Sequence, residues 1–134
     1  MTSTVTYNGE LRTTCLHLAS GNSIITDAPI DNHGKGEAFS PTDLVATALG
    51  ACMLTVMGIK AAQMQLDLSG TRCEITKIMG SEPRRISGIV AKLEFPANGF
   101  TEKEKTILEN TAKTCPVHYS LHPEINQDIQ FIWL

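Results

Sequence analysis

The segment between Ser40 and Gln63 constrains the fold of this chain more than any other part of the sequence. Ser40 is a favourable N-cap, Pro41 suits the first helical position, and Asp43 falls where an acid interacts well with the helix dipole. Apolar residues then occupy several faces of the helix predicted over 41–63. Because a helix that is apolar nearly all round must be covered on most sides, we expect it to be central and buried.

The segments before this helix are predicted to form an antiparallel meander. Alternating polar and apolar residues, separated by turn signals at Asn8-Gly9 and Gly21-Asn22, indicate three strands: residues 3–8, 10–19 and 23–28. Residues 29–39 contain two glycines and no periodicity, so we expect them to form a loop.

The remainder of the chain adds three strands and two helices to this pattern. Strands are predicted over 71–79 and 84–96, and a capping box at Thr101 opens a helix that continues to about Lys113. The end of the chain is predicted to hold a short helix and a last strand: residues 117–123 and 126–134. This order of elements predicts one α+β domain over residues 1–134, with helices against a curved antiparallel sheet.

Charge and patterning exclude several classes of function. The net charge is −3 and the basic residues are scattered, so no basic face for nucleic acid is expected. The longest apolar run is interrupted by Thr47, Thr55 and two glycines, so we do not expect a membrane span. The polar, alternating N-terminal segment is typical of neither a signal peptide nor an anchor, and we expect a cytoplasmic protein.

Four cysteines are the candidates for chemistry: Cys15, Cys52, Cys73 and Cys115. A reducing cytoplasm argues against a structural disulfide framework, and the absence of a CxxC pair removes the common zinc and thioredoxin-like signatures. We therefore expect neither a metal nor a bound cofactor. For Cys52 alone, a buried structural cysteine is the default interpretation. Cys15 and Cys73 lie in predicted strands and are interpreted as packing or half-exposed residues.

Two motifs together resemble the OsmC/Ohr family of thiol peroxidases. They are SPTDLVATALGAC, which ends at Cys52, and TCPVHYSL, in which Cys115 precedes Pro116. Motifs and element order agree over essentially the whole chain and are nearer to the OsmC-like branch. The resemblance implies an OsmC-like fold and an intertwined homodimer with active sites at the subunit interface. It also implies that the long helix packs against the same helix of a second copy.

The resemblance further implies two-cysteine reduction of organic hydroperoxides. Cys52 would attack the peroxide, Cys115 would resolve the product as a disulfide, and an external dithiol reductant would restore both thiols. Because burial disfavours a thiolate, reactivity at neutral pH requires a nearby cation. An arginine from the early strands serves this purpose in the family, and Arg12 is the matching residue. Arg84 and Arg85 are the other arginines long enough to compete.

One position departs from the family pattern. Relatives with peroxidase activity place a glutamate that orients the arginine directly after the helix-start proline, whereas this chain has Thr42 there, followed by Asp43. Asp43 precedes Cys52 by nine residues, which is half a turn out of phase and roughly 13 Å along a straight helix. Asp43 is therefore a candidate for the catalytic site of a partner subunit. Its alternative role is that of an ordinary acid in the first helical turn.

Other interpretations stay open at this point. Unsatisfied N–H groups at a helix start favour a thiolate at Cys115, and His118 could accept its proton or serve only in packing. One alternative function is a non-catalytic OsmC-like protein that binds a small apolar ligand, which the missing glutamate favours and the two cysteines oppose. Another is a metal site of Cys52, Cys115 and His118, which lacks a close-spaced ligand pair.

Overall fold

The computed structural model describes residues 1–134, which divide into two compact units, Met1–Val45 and Ala46–Leu134. Six strands and three α-helices follow one another in the order β1-β2-β3-α1-β4-β5-α2-α3-β6. The predicted α+β class and the predicted order of elements are therefore confirmed. The prediction of a single domain stays a prediction.

The first unit contains the predicted antiparallel meander. Its strands pair in sequence order: β1 (Ser3–Gly9), β2 (Arg12–His17) and β3 (Ser23–Asp27). The first turn lies at Glu10 and Leu11, where φ is positive at both residues (54° and 62°), and not at Asn8-Gly9 as predicted. The register shifts between Tyr7 and Gly9, and β1 extends through Gly9, which pairs with Arg12. A two-residue turn with positive φ at both positions matches the twist of the paired strands.

The loop that follows β3 contains one short element that the sequence pattern did not indicate. Ile30–Asn32 forms a turn of 3-10 helix. The next turn requires glycine, because a Cβ atom on Gly34 would lie only 1.7 Å from the carbonyl oxygen of Ala28. The loop is therefore tightly folded rather than extended.

The second unit contains a mixed sheet. It is formed by β4 (Arg72–Gly80), β5 (Arg85–Phe95) and β6 (Asn126–Trp133), with β5 in the centre. β4 and β5 are antiparallel, but β5 and β6 are parallel. The prediction of one antiparallel sheet is therefore wrong, since the chain has two three-stranded sheets. Parallel neighbours need a long crossover, which α2 (Glu102–Ala112) and α3 (Pro116–Ser120) supply.

The long helix α1 spans Pro41–Gln63, as predicted. One stripe of it is buried in the core of the second unit: Ala46, Leu49, Gly50, Met53, Met57 and Ala61. Alternate residues of β5 form much of the rest of that core: Ile89, Ala91, Leu93 and Phe95. A Cβ atom on Gly50 would lie 2.9 Å from Ile75 and 3.0 Å from the sulfur of Cys73. The glycine therefore lets α1 lie close to β4.

Other faces of α1 remain exposed within one chain. Val45 and Ile59 are 42% and 58% exposed, because only one stripe of α1 is buried within the single chain. Burial of the other faces against a second copy stays a prediction. By length and a mean hydropathy of 1.8, α1 would also suffice to cross a membrane, contrary to expectation. Core helices of soluble proteins meet the same criterion. One stripe of α1 packs in the core of the second unit.

Candidate functional site

The structure brings together the two cysteines that the family resemblance pairs. Cys52 lies on α1 and packs, partly buried, against the core of the second unit. Cys115 is the N-cap of α3 and is completely buried. The side chain of Cys52 lies close enough to that of Cys115 to influence its pKa, and both residues are free thiols. Cys52 and Cys115 are therefore neighbouring free thiols, while their catalytic roles stay predictions.

The surroundings of Cys115 favour its protonated form. Burial raises the pKa of the Cys115 thiol, and the neighbouring Cys52 thiol raises it further. The backbone N–H of His118 donates to Cys115 Sγ over 3.2 Å and acts in the opposite direction. The predicted contact with a helix-start N–H is thus confirmed, but burial outweighs it. Cys115 is therefore a neutral thiol at neutral pH.

The His118 side chain is fixed by Gln127 of β6. Its ring Nδ1 lies 2.5 Å from Gln127 Oε1, while Gln127 Nε2 donates to the His118 carbonyl over 3.2 Å. Since the amide nitrogen is used by the carbonyl, Oε1 is left as the acceptor and Nδ1 carries the proton. This arrangement favours the packing role. The metal-site alternative is not supported, because no group of three suitable side chains is placed to hold an ion.

Arg12 forms a bidentate ion pair in the first unit. It is paired directly with Asp27 in the β2–β3 register. Its Nε and Nη2 donate to the two oxygens of Asp27 over 2.7 and 2.8 Å. The side chain of Asp27 is only 1% exposed, compared with 28% for Arg12. The bonds from Arg12 lower the pKa of Asp27 despite its burial, and they raise the pKa of Arg12. Both groups are therefore charged at neutral pH.

No sequence motif marks Asp27 as a residue of the site. The signal was present in the second hairpin, because pairing Leu16 with Ser23 across the turn places Arg12 opposite Asp27 when the register is counted back. Of the competing arginines, Arg85 donates to backbone carbonyls in the β4–β5 turn. It is therefore already engaged in that turn.

Asp43 has the structural role that was its alternative interpretation. The backbone N–H of Ser40 donates to Asp43 Oδ2 over 3.0 Å, and the N–H of Asp43 donates to Ser40 Oγ over 3.1 Å. Such reciprocal bonds satisfy two donors at the start of α1. Asp43 also lines a cavity of about 450 Å³ within the first unit, together with mainly apolar or small residues: Pro29, Ile30, Asp31, Gly36 and Ala38. Its role in the site of a partner subunit stays a prediction.

Comparison with known proteins agrees with the motifs. The family model for OsmC-like proteins matches residues 34–130. The chain is 53% identical to a protein from Psychrobacter arcticus 273-4 described as an osmotic stress induced and detoxification response protein; the match covers 98% of this chain and 95% of that one, with a TM-score of 0.94. None of the curated protein sequences compared with the chain matches it.

More distant structures share the fold. The organic hydroperoxide resistance protein OsmC from Legionella pneumophila is 15% identical with a TM-score of 0.76, and the match covers 98% of this chain and 97% of that one. The organic hydroperoxide resistance protein OhrB of Bacillus subtilis is 14% identical with a TM-score of 0.70, and the match covers 98% of each chain. The predicted fold is therefore confirmed.

Proposed function

Because the chain belongs to the OsmC-like protein family, we propose that it reduces organic hydroperoxides with a pair of cysteine thiols in oxidative-stress defence. The family and the names of its structural neighbours support a role in redox chemistry or stress. The observation that carries the proposal is the proximity of the free thiols of Cys52 and Cys115.

In the first step, the Cys52 thiolate attacks the distal oxygen of the hydroperoxide. The O–O bond breaks, a proton joins the departing alkoxide to give an alcohol, and Cys52 becomes a sulfenic acid. The sulfur is oxidised by two electrons and the peroxide is reduced by two. Arg12 is the proposed cation that stabilises the Cys52 thiolate, and its pairing with Asp27 raises its already high pKa, so its charge persists at physiological pH.

In the second step, the sulfur of Cys115 attacks the sulfenic sulfur of Cys52. A disulfide forms, and the hydroxide that leaves combines with the thiol proton of Cys115 to give water. The raised pKa of Cys115 suits this order, because a protonated Cys115 does not compete for the peroxide. An external dithiol then reduces the disulfide and becomes oxidised itself. The cycle requires no metal and no bound cofactor.

We also propose that the protein is a cytoplasmic homodimer. Eleven of the fifteen exposed large hydrophobic residues lie in the first 45 residues, and Ile59 on α1 adds to them. Apolar surface on this scale is unfavourable in water, so a second copy of the chain would cover it. Sedimentation at twice the mass of the chain is the expected result. A reducing cytoplasm would keep the two thiols ready for the next cycle.

The proposal is tested by counting free thiols before and after one equivalent of cumene hydroperoxide. We expect two thiols to be lost and peptide mass spectrometry to find a Cys52–Cys115 disulfide. Cys52→Ser should abolish turnover, whereas Cys115→Ser should reduce one equivalent and retain a sulfenic acid. Cys73→Ser is the matched control, because Cys73, like Cys115, is a thiol whose pKa is raised by burial. This variant should keep turnover. An unchanged Cys52 after peroxide treatment would contradict the proposal.

A second candidate function is non-catalytic binding of a small apolar ligand. Thr42, at the position of the family glutamate, favours it, and so does the largely apolar cavity beside Asp43. Wild-type protein that binds an apolar fluorescent probe but consumes no peroxide would support this second function.

A further inference from the structure

Asp27 is bound from three sides within the first unit. Its carboxylate accepts the two bonds from Arg12 and a third from the backbone N–H of Glu37 over 3.1 Å. Its own backbone N–H donates to the carbonyl of Phe39 over 3.1 Å. The strand register and the loop after β3 therefore fix Asp27 before any ligand is present.

The two members of the ion pair differ in how far they reach the surface. Asp27 is in the interior, while the side chain of Arg12 retains 28% exposure. Both bonds use the Nε–Nη2 edge of Arg12, so the Nη1–Nη2 edge is left on the other side of the planar group. A buried ion pair is a poor source of net stability, but a bidentate pair defines the orientation of a planar cation strongly.

Glu37 is a second acid near the same guanidinium, but it cannot hold it. The distance from its Oε2 to Arg12 Nη2 is 3.9 Å, and its side chain is 67% exposed. An exposed carboxylate at that distance forms a weak, solvent-screened ion pair without a hydrogen bond. Asp27 is therefore the group that sets the direction of the Arg12 side chain.

We propose that Asp27 is a positioning residue of the reaction, which holds the Nε–Nη2 edge of Arg12 so that the opposite edge is presented to the peroxide oxygens. The assignment rests on the proposed function, in which Arg12 stabilises the thiolate and the peroxide. It places the orienting acid on the strand next to the arginine, in a chain whose helix-start position is Thr42.

The test is a double-mutant cycle of Asp27→Asn and Arg12→Lys, with Glu37→Gln as the matched loss of one carboxylate. The first readout is kcat/KM for cumene hydroperoxide, and the second is the rate at which iodoacetamide alkylates Cys52. Each single substitution should lower kcat/KM roughly tenfold, which is the loss seen when a group that orients a metal ligand is removed from a metal site. The double variant should be no slower than Arg12→Lys, because both changes remove the same oriented cation. Glu37→Gln should stay within about twofold of wild type.

Each outcome either supports or overturns a stated role. An active wild type with an unimpaired Asp27→Asn variant, or fully additive effects, would overturn the positioning role and leave the proposed function standing. An inactive wild type would overturn the proposed function, and Cys52 alkylation would then judge the positioning role alone. Equal slowing by Asp27→Asn and Arg12→Lys would support it, and no slowing by Asp27→Asn would overturn it. If Asp27→Asn does not fold, Asp27→Glu, which keeps the charge but displaces it, takes its place in the same cycle.

Discussion

The interiors of the two units are built from different groups. The three buried polar side chains all lie in the first unit: Thr26, Asp27 and Ser40. All twelve buried hydrophobic residues lie in the second unit, and they include the thiol of Cys115. The first unit is therefore ordered inside by directional hydrogen bonds, and the second by packing.

The two kinds of interior suit different functional groups: the first unit holds the Arg12 guanidinium, and the second holds the buried thiols. Hydrogen bonds fix the orientation of a planar cation, which packing alone does not, so Arg12 suits a polar interior. Packing excludes water from thiols and raises the pKa values of Cys73 and Cys115, so these sulfurs suit an apolar interior. Substitutions should consequently change stability through packing in the second unit and through charge and hydrogen bonding in the first.

The largest expected loss of stability follows Phe95→Ala. The ring is fully buried and stacks on Trp133 with a centroid separation of 3.8 Å, so truncation should lower the free energy of unfolding by about 3–5 kcal/mol. Urea unfolding followed by the fluorescence of this single tryptophan measures the change. Phe100→Ala is the control, because Phe100 contacts the same indole but is only half-buried, and we expect about 1 kcal/mol. Equal losses would mean that burial does not govern stability in this unit.

The next largest effect on stability is expected in the first unit at acidic pH. The bonds from Arg12 lower the pKa of Asp27 in the folded protein below its unfolded value near 3.8. The stabilisation is therefore fully present above about pH 4 and is lost as pH falls through the lower folded pKa. Asp27→Asn removes a carboxylate that is otherwise deprotonated, so the wild-type advantage should shrink as pH falls below 3.8.

Urea midpoints of wild type and Asp27→Asn between pH 7 and pH 2 measure this convergence. Glu124→Gln, on an exposed turn outside the first unit, controls for the loss of one negative charge. A gap between wild type and Asp27→Asn that stays constant down to pH 2 would show that the ion pair contributes no pH-dependent stability.

The parts of this structure that sequence could predict are those set by local patterns. The bounds of α1 follow from its cap and its apolar run, and the Thr101 capping box follows from four consecutive residues. The parallel pairing of β6 with β5 could not be predicted, because it depends on which strand a crossover returns to. The Asp27 contact was missed for a similar reason, since it depends on strand register.

The proximity of the two thiols was predicted through the family resemblance and not through spacing. Cys52 and Cys115 are 63 positions apart in the sequence, and no periodicity relates them. An apolar sequence shows that the faces of α1 need cover but not whether the same chain supplies it, and one side of the helix is exposed within this chain.

A smaller effect is expected for the buried cap in the first unit. Ser40 is 1% exposed, and its hydroxyl accepts from the N–H of Asp43. Ser40→Ala should lower the free energy of unfolding by about 2 kcal/mol, the upper end for an N-cap, because water cannot readily replace the lost acceptor. Urea unfolding followed by circular dichroism measures the change. A loss well below 1 kcal/mol would show that the polar interior of this unit is open to water.

The smallest effect is expected for the equivalent cap on the second unit, which makes it the matched comparison for Ser40. Thr101 and Glu104 exchange the same two hydrogen bonds, over 3.1 and 3.2 Å, but Thr101 is exposed and Glu104 is only half-buried. Thr101→Ala should cost only about 0.5–1 kcal/mol in urea unfolding, because water can satisfy the freed N–H. Thr106→Ala, an exposed threonine inside the same helix, controls for the change in side chain and should cost less still. Equal losses for Thr101→Ala and Ser40→Ala would mean that cap hydrogen bonds contribute equally to the stability of both units. The two interiors would then differ only in their buried apolar residues.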